Sequence, residues 1–155
     1  MTATPVHATI IHTGGTRAYV AEGAEIVIPG QARPFVEKMI QAEHKLAPDA
    51  LARQPKPAKI LDVKDTLSLK DETVEINLYN IPNPHVEGML IVHVVKDNVV
   101  WVTDLVSPRG QVARNPGTVA VGDALKKHNI SGATFAGGHG ATAKQADIAS
   151  ALTAN

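Results

Sequence analysis

Residues 78–107 constrain the fold of this chain more than any other stretch, because their pattern is typical of a β-hairpin with a polar residue beyond each end. The runs 89–95 and 99–102 are apolar or β-branched, and the Lys-Asp-Asn between them tolerates tight-turn conformations. Antiparallel pairing brings the loop before the first strand and the exit of the second to the same end. His85 and Asp104 occupy those two positions, and imidazole and carboxylate are both metal-ligand types. The hairpin therefore predicts a His–Asp pair suited to a metal.

Length and charge limit the classes of protein that fit the sequence. A chain of 155 residues is long enough for one well-packed core, which predicts a single domain over 1–155. The 15 Lys and Arg residues balance 15 Asp and Glu residues, so no net field attracts nucleic acid or an anionic membrane. We therefore expect a small-molecule substrate of unknown identity and no nucleic-acid partner.

Cysteine usage and hydropathy bear on the compartment. The chain has no cysteine, which excludes disulfides and zinc–thiolate sites and fits a reducing compartment. Residues 1–7 lack a basic region followed by an apolar one, and no apolar run approaches the roughly 18 residues of a membrane span. These features predict a cytoplasmic protein with no membrane association.

Helical and strand patterns mix along the whole chain, which predicts the α/β class. Apolar spacing and capping residues predict helices over 16–22, 32–46, 116–127 and 142–153, the last opened by a capping box at residues 142–145. Besides the hairpin, β-branched runs predict strands over 6–11, 25–28, 60–63, 66–69, 73–78 and 133–136. Residues 48–58 hold three prolines and are predicted to form a surface connection.

A further histidine follows the predicted strand 133–136, within Gly137-Gly-His139-Gly. The order Pro84-His85-x-Glu-Gly-Met, then apolar strands, then Val102-Thr-Asp104, then Ala136-Gly-Gly-His139-Gly resembles the C-terminal half of metallo-β-lactamase-fold hydrolases. The resemblance spans nearly the whole chain. It implies a metallo-β-lactamase-like αββα sandwich, truncated to the C-terminal half plus one crossover.

The same resemblance implies further ligands near the N-terminus. The family carries a His-x-His-x-Asp-His loop followed by glycines and a helix, and here that loop would run from His7 to His12. Thr9 stands where the second His belongs, and Ile11 where the Asp belongs. Each of the family's two metals would thus lose one ligand.

The ligand set implied by the resemblance consists of five residues: His7, His12, His85, Asp104 and His139. Asp104 would be the bridging ligand and the catalytic carboxylate. These residues suffice for one zinc, which in catalytic sites commonly takes three protein ligands and water, and a second ion would be incompletely held. Iron and manganese accept the same donor types. Because Ile11 cannot position or deprotonate a water, we expect hydrolysis to be weak.

Three functional classes stay open at this point. The first is a metal-dependent hydrolase, and the second is a metal-binding domain that retains the fold without the chemistry. The third is a structural or interaction module in which His85 merely shapes a loop and Asp104 caps a turn. Since a half-sandwich would leave an apolar sheet face uncovered, we also expect a homodimer or association with a missing N-terminal half.

Overall fold

The computed structural model, which describes residues 2–3, 13–107 and 111–154, contains both helices and strands. The predicted α/β class is confirmed. The described residues divide into two compact units, Met1–Lys64 and Asp65–Asn155. The predicted strand over 6–11 lies outside the described residues. None of the helices in the described ranges is long and apolar enough to cross a bilayer.

The first unit is built on a parallel sheet. Its elements in chain order are β1 (Thr2–Ala3), α1 (Thr16–Ala21), β2 (Glu25–Pro29), a 3-10 turn (Gly30–Ala32), α2 (Arg33–Ile40), α3 (Ala50–Arg53) and β3 (Lys59–Val63). In the described part of this unit, three strands pair in the order β1-β2-β3, all parallel. The central strand β2 is an apolar run buried except at its first residue, as expected for a strand covered on both faces.

Helix α2 is shorter than the predicted helix over 32–46. It ends at Ile40, because the Arg17 guanidinium donates hydrogen bonds to the last carbonyls, those of Met39 at 3.2 Å and of Ile40. His44 has a φ of 49°, which a continuing helix cannot accommodate. Leu46, predicted to lie on the apolar helix face, is fully exposed. The prediction failed because the residue that ends the helix is distant in sequence.

The predicted surface connection over 48–58 contains the short helix α3. Asp49 caps it by accepting a hydrogen bond from the Ala52 amide at 2.8 Å, and Leu51 is buried. The Asp49 carboxylate also pairs in a bidentate manner with Arg17, through Nε at 2.6 Å and Nη2 at 2.9 Å. Arg17 is buried, so this pair joins α1, the end of α2 and the start of α3.

Asp49→Asn is expected to make the first unit less stable at neutral pH and less sensitive to acid. The hydrogen bonds from the Arg17 guanidinium hold the pKa of Asp49 well below its usual range. A depressed folded-state pKa stabilises the fold fully above the unfolded-state pKa, and the contribution is lost as pH falls through the folded-state value. Urea unfolding between pH 7 and pH 2 measures the effect, with Glu22→Gln as the exposed control in the same unit. Equal acid sensitivity in wild type and Asp49→Asn would contradict it.

The second unit contains a larger, mixed sheet. Its elements are β4 (Thr66–Lys70), β5 (Glu75–Ile81), β6 (Met89–Val94), β7 (Val99–Val102), α4 (Pro116–Lys127), β8 (Thr134–Gly137), β9 (Thr142–Lys144) and α5 (Gln145–Thr153). The described part of this unit has six paired strands in the order β4-β5-β6-β7-β8-β9. The predicted β6–β7 hairpin is confirmed, with Val92 opposite Trp101 and Val94 opposite Val99. Asn98 closes its turn at a φ of 49°.

Strand β8 lies parallel to β7, and α4 forms the crossover between them. The predicted start of α4 is confirmed, because the Asn115 side chain accepts a hydrogen bond from the Thr118 amide at 3.0 Å. A buried cluster that includes Val121, Leu125, Phe135 and Ile148 holds α4 and α5 against the sheet.

One prediction for the second unit was wrong in detail. The helix expected from residue 142 begins at Gln145, because Thr142–Lys144 pairs instead with β8 as an edge strand. Asp147 provides the N-terminal hydrogen bond by accepting from the Lys144 amide at 2.7 Å. His128, at the C-terminal end of α4, stacks on Tyr79 with ring centroids 4.0 Å apart. Burial lowers the pKa of His128, so the ring sits there in its neutral form near neutral pH.

Candidate metal centre

The candidate site lies at the edge of the second unit's sheet where β7 and β8 end. In the parallel β7–β8 register Val102 is opposite Gly137, so Asp104 and His139 each follow their strand by two residues. Because parallel strands end at the same sheet edge, the two side chains are brought together. Asp104 has a φ of 56°, a left-handed conformation that Asp tolerates better than most residues.

Asp104 is the centre of the site. Its Oδ1 lies 2.9 Å from Nε2 of His139, and its Oδ2 lies 3.9 Å from Nε2 of His85. The Asp104 side chain is only 14% exposed, whereas both imidazoles are more than 40% exposed. The predicted proximity of His85 and Asp104 is confirmed. A mostly buried carboxylate thus presents each oxygen to a different, solvent-accessible imidazole.

The loop between β5 and β6 holds His85 in place. Asn83 organises this loop, because its Oδ1 accepts hydrogen bonds from the amides of His85 at 2.9 Å and of Val86 at 3.0 Å. Its Nδ2 donates to the carbonyl of Ile81 at 3.2 Å. Sequence reasoning missed Asn83, although an Asn directly before a proline is a recognisable turn signal.

Two more residues at the site were missed by sequence reasoning. Thr103 is buried, and its Oγ1 donates a hydrogen bond to Oδ2 of Asp104 at 3.2 Å. Gly138 packs against Thr103 so closely that a Cβ at position 138 would lie 2.3 Å from Thr103 Oγ1. Position 138 therefore requires glycine. The Gly-Gly pair before His139 was a visible signal of a close backbone approach.

The donor types fit a divalent metal. Two ligands on one tetrahedral zinc lie roughly 3.3 Å apart, given metal–ligand distances of about 2 Å. The Asp104–His139 and Asp104–His85 separations of 2.9 and 3.9 Å bracket that value. Within the described residues, however, no group of three or more His, Cys, Asp or Glu side chains is arranged to hold a metal. Binding of a metal between these side chains would require His85 to approach Asp104 or further ligands to join. The predicted ligands His7 and His12 lie outside the described residues.

His93 is separate from the site. Its Nε2 lies 3.1 Å from Oδ1 of Asn98, across the turn of the β6–β7 hairpin. His93 is thus a hydrogen-bonded histidine within strand β6. It therefore offers a control position for substitutions of the site histidines.

Comparisons with known proteins identify the fold. No protein-family model and no curated protein matches the sequence. Among solved structures, a metallo-β-lactamase from Pontibacter korlensis is similar with a TM-score of 0.65 and 14% identity, over 98% of this chain and 68% of that one. An archaeal metallo-β-lactamase superfamily protein from Sulfolobus tokodaii has a TM-score of 0.64 and 15% identity, over 97% and 66%. A metal-soaked flavodiiron core from Synechocystis has a TM-score of 0.68 and 16% identity, over 96% and 41%.

The chain therefore has the metallo-β-lactamase fold, which confirms the fold implied by its histidine and aspartate motifs. It spans about two thirds of the two metallo-β-lactamase superfamily chains and about two fifths of the flavodiiron core. Proteins whose names refer to bound metals share this fold. Sequence identities of 14–16% to those proteins are too low to assign an activity to this chain.

Proposed function

We propose that the protein binds a divalent metal ion at His85, Asp104 and His139. The observation that carries the proposal is the Asp104 carboxylate, whose two oxygens lie 2.9 and 3.9 Å from the Nε2 atoms of two exposed imidazoles. The metallo-β-lactamase fold supports it, because solved structures with this fold include metallo-β-lactamases and a flavodiiron core. His7 and His12 remain predicted ligands from the sequence resemblance.

Zinc is the ion we propose, because imidazole and carboxylate are its usual donors in catalytic sites. Iron and manganese accept the same donors, and the similarity to a flavodiiron core makes iron the first alternative. Elemental analysis of protein purified without added metal identifies the ion. Absence of any transition metal, together with no zinc uptake in titration, would refute the proposal.

The proposed chemistry is weak metal-dependent hydrolysis. His85, Asp104 and His139 would hold the divalent ion, which would supply a water of lowered pKa for attack on a carbonyl or ester near neutral pH. Asp104 would serve as ligand and catalytic carboxylate, and its side chain is only 14% exposed. Ile11 stands where the family has a carboxylate that accepts a proton. The isoleucine side chain cannot accept a proton.

A hydrolysis screen separates this proposal from a non-catalytic metal-binding domain, the main alternative. Lactam, thioester and phosphodiester substrates are tested with zinc, iron or manganese supplied, beside Asp104→Asn as the matched inactive control. Turnover that requires both the metal and Asp104 would support the hydrolase. Tight metal binding with no turnover on any substrate class would favour the alternative.

We also propose that the chain forms a homodimer or associates with additional polypeptide. Tyr19, Phe35 and Leu46 in the first unit carry large apolar side chains that are exposed, and association would remove them from water. Light scattering at micromolar concentration tests the proposal. A stable monomer would exclude the homodimer.

A further inference from the structure

We infer that Thr103 is a positioning residue, whose hydroxyl sets the orientation of the Asp104 carboxylate toward His139. The relevance of Thr103 to metal binding rests on the proposed function. The geometry of Thr103 and Asp104 does not depend on that function. Thr103 directly follows β7 and has a relative exposure of 1%, so its hydroxyl is shielded from bulk water. A shielded hydroxyl is stabilised by a protein acceptor.

The acceptor of the Thr103 hydroxyl is the carboxylate at the centre of the site. Thr103 Oγ1 lies 3.2 Å from Oδ2 of Asp104, and the other oxygen, Oδ1, lies 2.9 Å from His139 Nε2. A carboxylate can rotate about its Cβ–Cγ bond, and a donor on one oxygen restricts that rotation. The Thr103 hydroxyl thereby holds Oδ2 on the side that also faces His85, and it leaves Oδ1 directed at His139.

Gly138 fixes Thr103 from the other side. The Gly138 amide donates a hydrogen bond to the Val102 carbonyl at 2.9 Å, which joins the ends of β7 and β8. A Cβ at position 138 would lie 2.3 Å from Thr103 Oγ1 and 2.9 Å from its Cβ. The Thr103 side chain therefore fits tightly beside the residue that precedes His139, which limits its own rotamers.

The hydrogen bond from Thr103 would affect metal affinity through Asp104, the ligand that accepts it. Carboxylates that bind metals are themselves held by hydrogen bonds, and loss of such a partner typically lowers metal affinity by about 10- to 100-fold. Thr103→Val keeps the shape of the side chain and removes the hydroxyl. Thr103→Ser keeps the hydroxyl and should preserve the Asp104 orientation.

Crystal structures of metal-free Thr103→Val and Thr103→Ser test the inference without depending on metal. We expect the 2.9 Å contact between His139 Nε2 and Asp104 Oδ1 to be lost in the Val variant and retained in the Ser variant. Thr103→Ala replaces Thr103→Val if the latter does not fold. An unchanged contact in the variant without the hydroxyl would overturn the inference.

Cobalt titration of the same variants then tests whether Thr103 affects metal binding at the site. Thr103→Val should bind cobalt about tenfold or more weakly than wild type, with an altered visible spectrum, while Thr103→Ser resembles wild type. Wild-type affinity and spectrum in Thr103→Val would count against the inference. Failure of wild type itself to bind cobalt would refute the proposed metal site, and the metal-free structures would still decide the role of Thr103.

Discussion

Asp104→Asn is expected to lower zinc affinity by at least about 100-fold, because loss of a ligand should cost more than loss of a ligand's hydrogen-bond partner. Asn matches Asp in shape and tolerates the left-handed φ of 56° at this position, so the fold should be retained. Competitive titration against a zinc-binding dye measures the affinity. The effect should be the largest of any single substitution at the site.

The matched control for this substitution is Asp97→Asn. Asp97 is exposed in the turn of the β6–β7 hairpin and undergoes the same change of charge away from the site. It should bind zinc as wild type does. Equal zinc affinities for Asp104→Asn and Asp97→Asn would show that any binding arises elsewhere on the protein.

Gly117→Ala is expected to destabilise the second unit by about 1–3 kcal/mol, the usual cost of overpacking. A Cβ at position 117, in the first turn of α4, would lie 2.7 Å from the carbonyl oxygen of Leu105 and 3.0 Å from its Cα. Those are backbone atoms, so the clash requires movement of the chain. The steric cost should exceed the gain of up to about 1 kcal/mol that Ala brings to a helix. Because Leu105 follows Asp104, metal affinity should also fall.

Gly122→Ala is the control in the same helix. Its added Cβ would lie 2.5 Å from Leu152 Cδ1, the end of a half-buried side chain that can change rotamer. Urea unfolding should therefore show a smaller loss of stability than for Gly117→Ala. If Gly117→Ala were as stable as wild type, α4 could not approach Leu105 as closely as described.

The β6–β7 hairpin was predictable because its strand and turn residues follow one another in a short stretch of sequence. Strands β6 and β7 are apolar runs separated by three turn residues, and that pattern alone placed His85 and Asp104 at one end. The position of His139 was inferred from family resemblance, since nothing local indicates that β8 pairs parallel to β7. The parallel register depends on the α4 crossover and its buried face.

The errors in prediction come from contacts between residues distant in sequence. The end of α2 depends on Arg17, whose guanidinium reaches carbonyls 22 and 23 residues further along. The start of α5 depends on pairing of Thr142–Lys144 with β8, which overrode a locally plausible capping box. Thr103 was overlooked because its burial depends on the approach of Gly138, a residue of the neighbouring β8 end that the sequence alone does not bring close.

Asp104, His85 and His139 are proposed to hold one divalent metal, and anomalous scattering from zinc-soaked crystals tests this proposal. Data collected above the zinc absorption edge should give a peak roughly 2 Å from Asp104 and His139, with His85 drawn closer than its present 3.9 Å separation from Asp104. An anomalous peak elsewhere, or none while the three side chains keep their separations, would contradict the account.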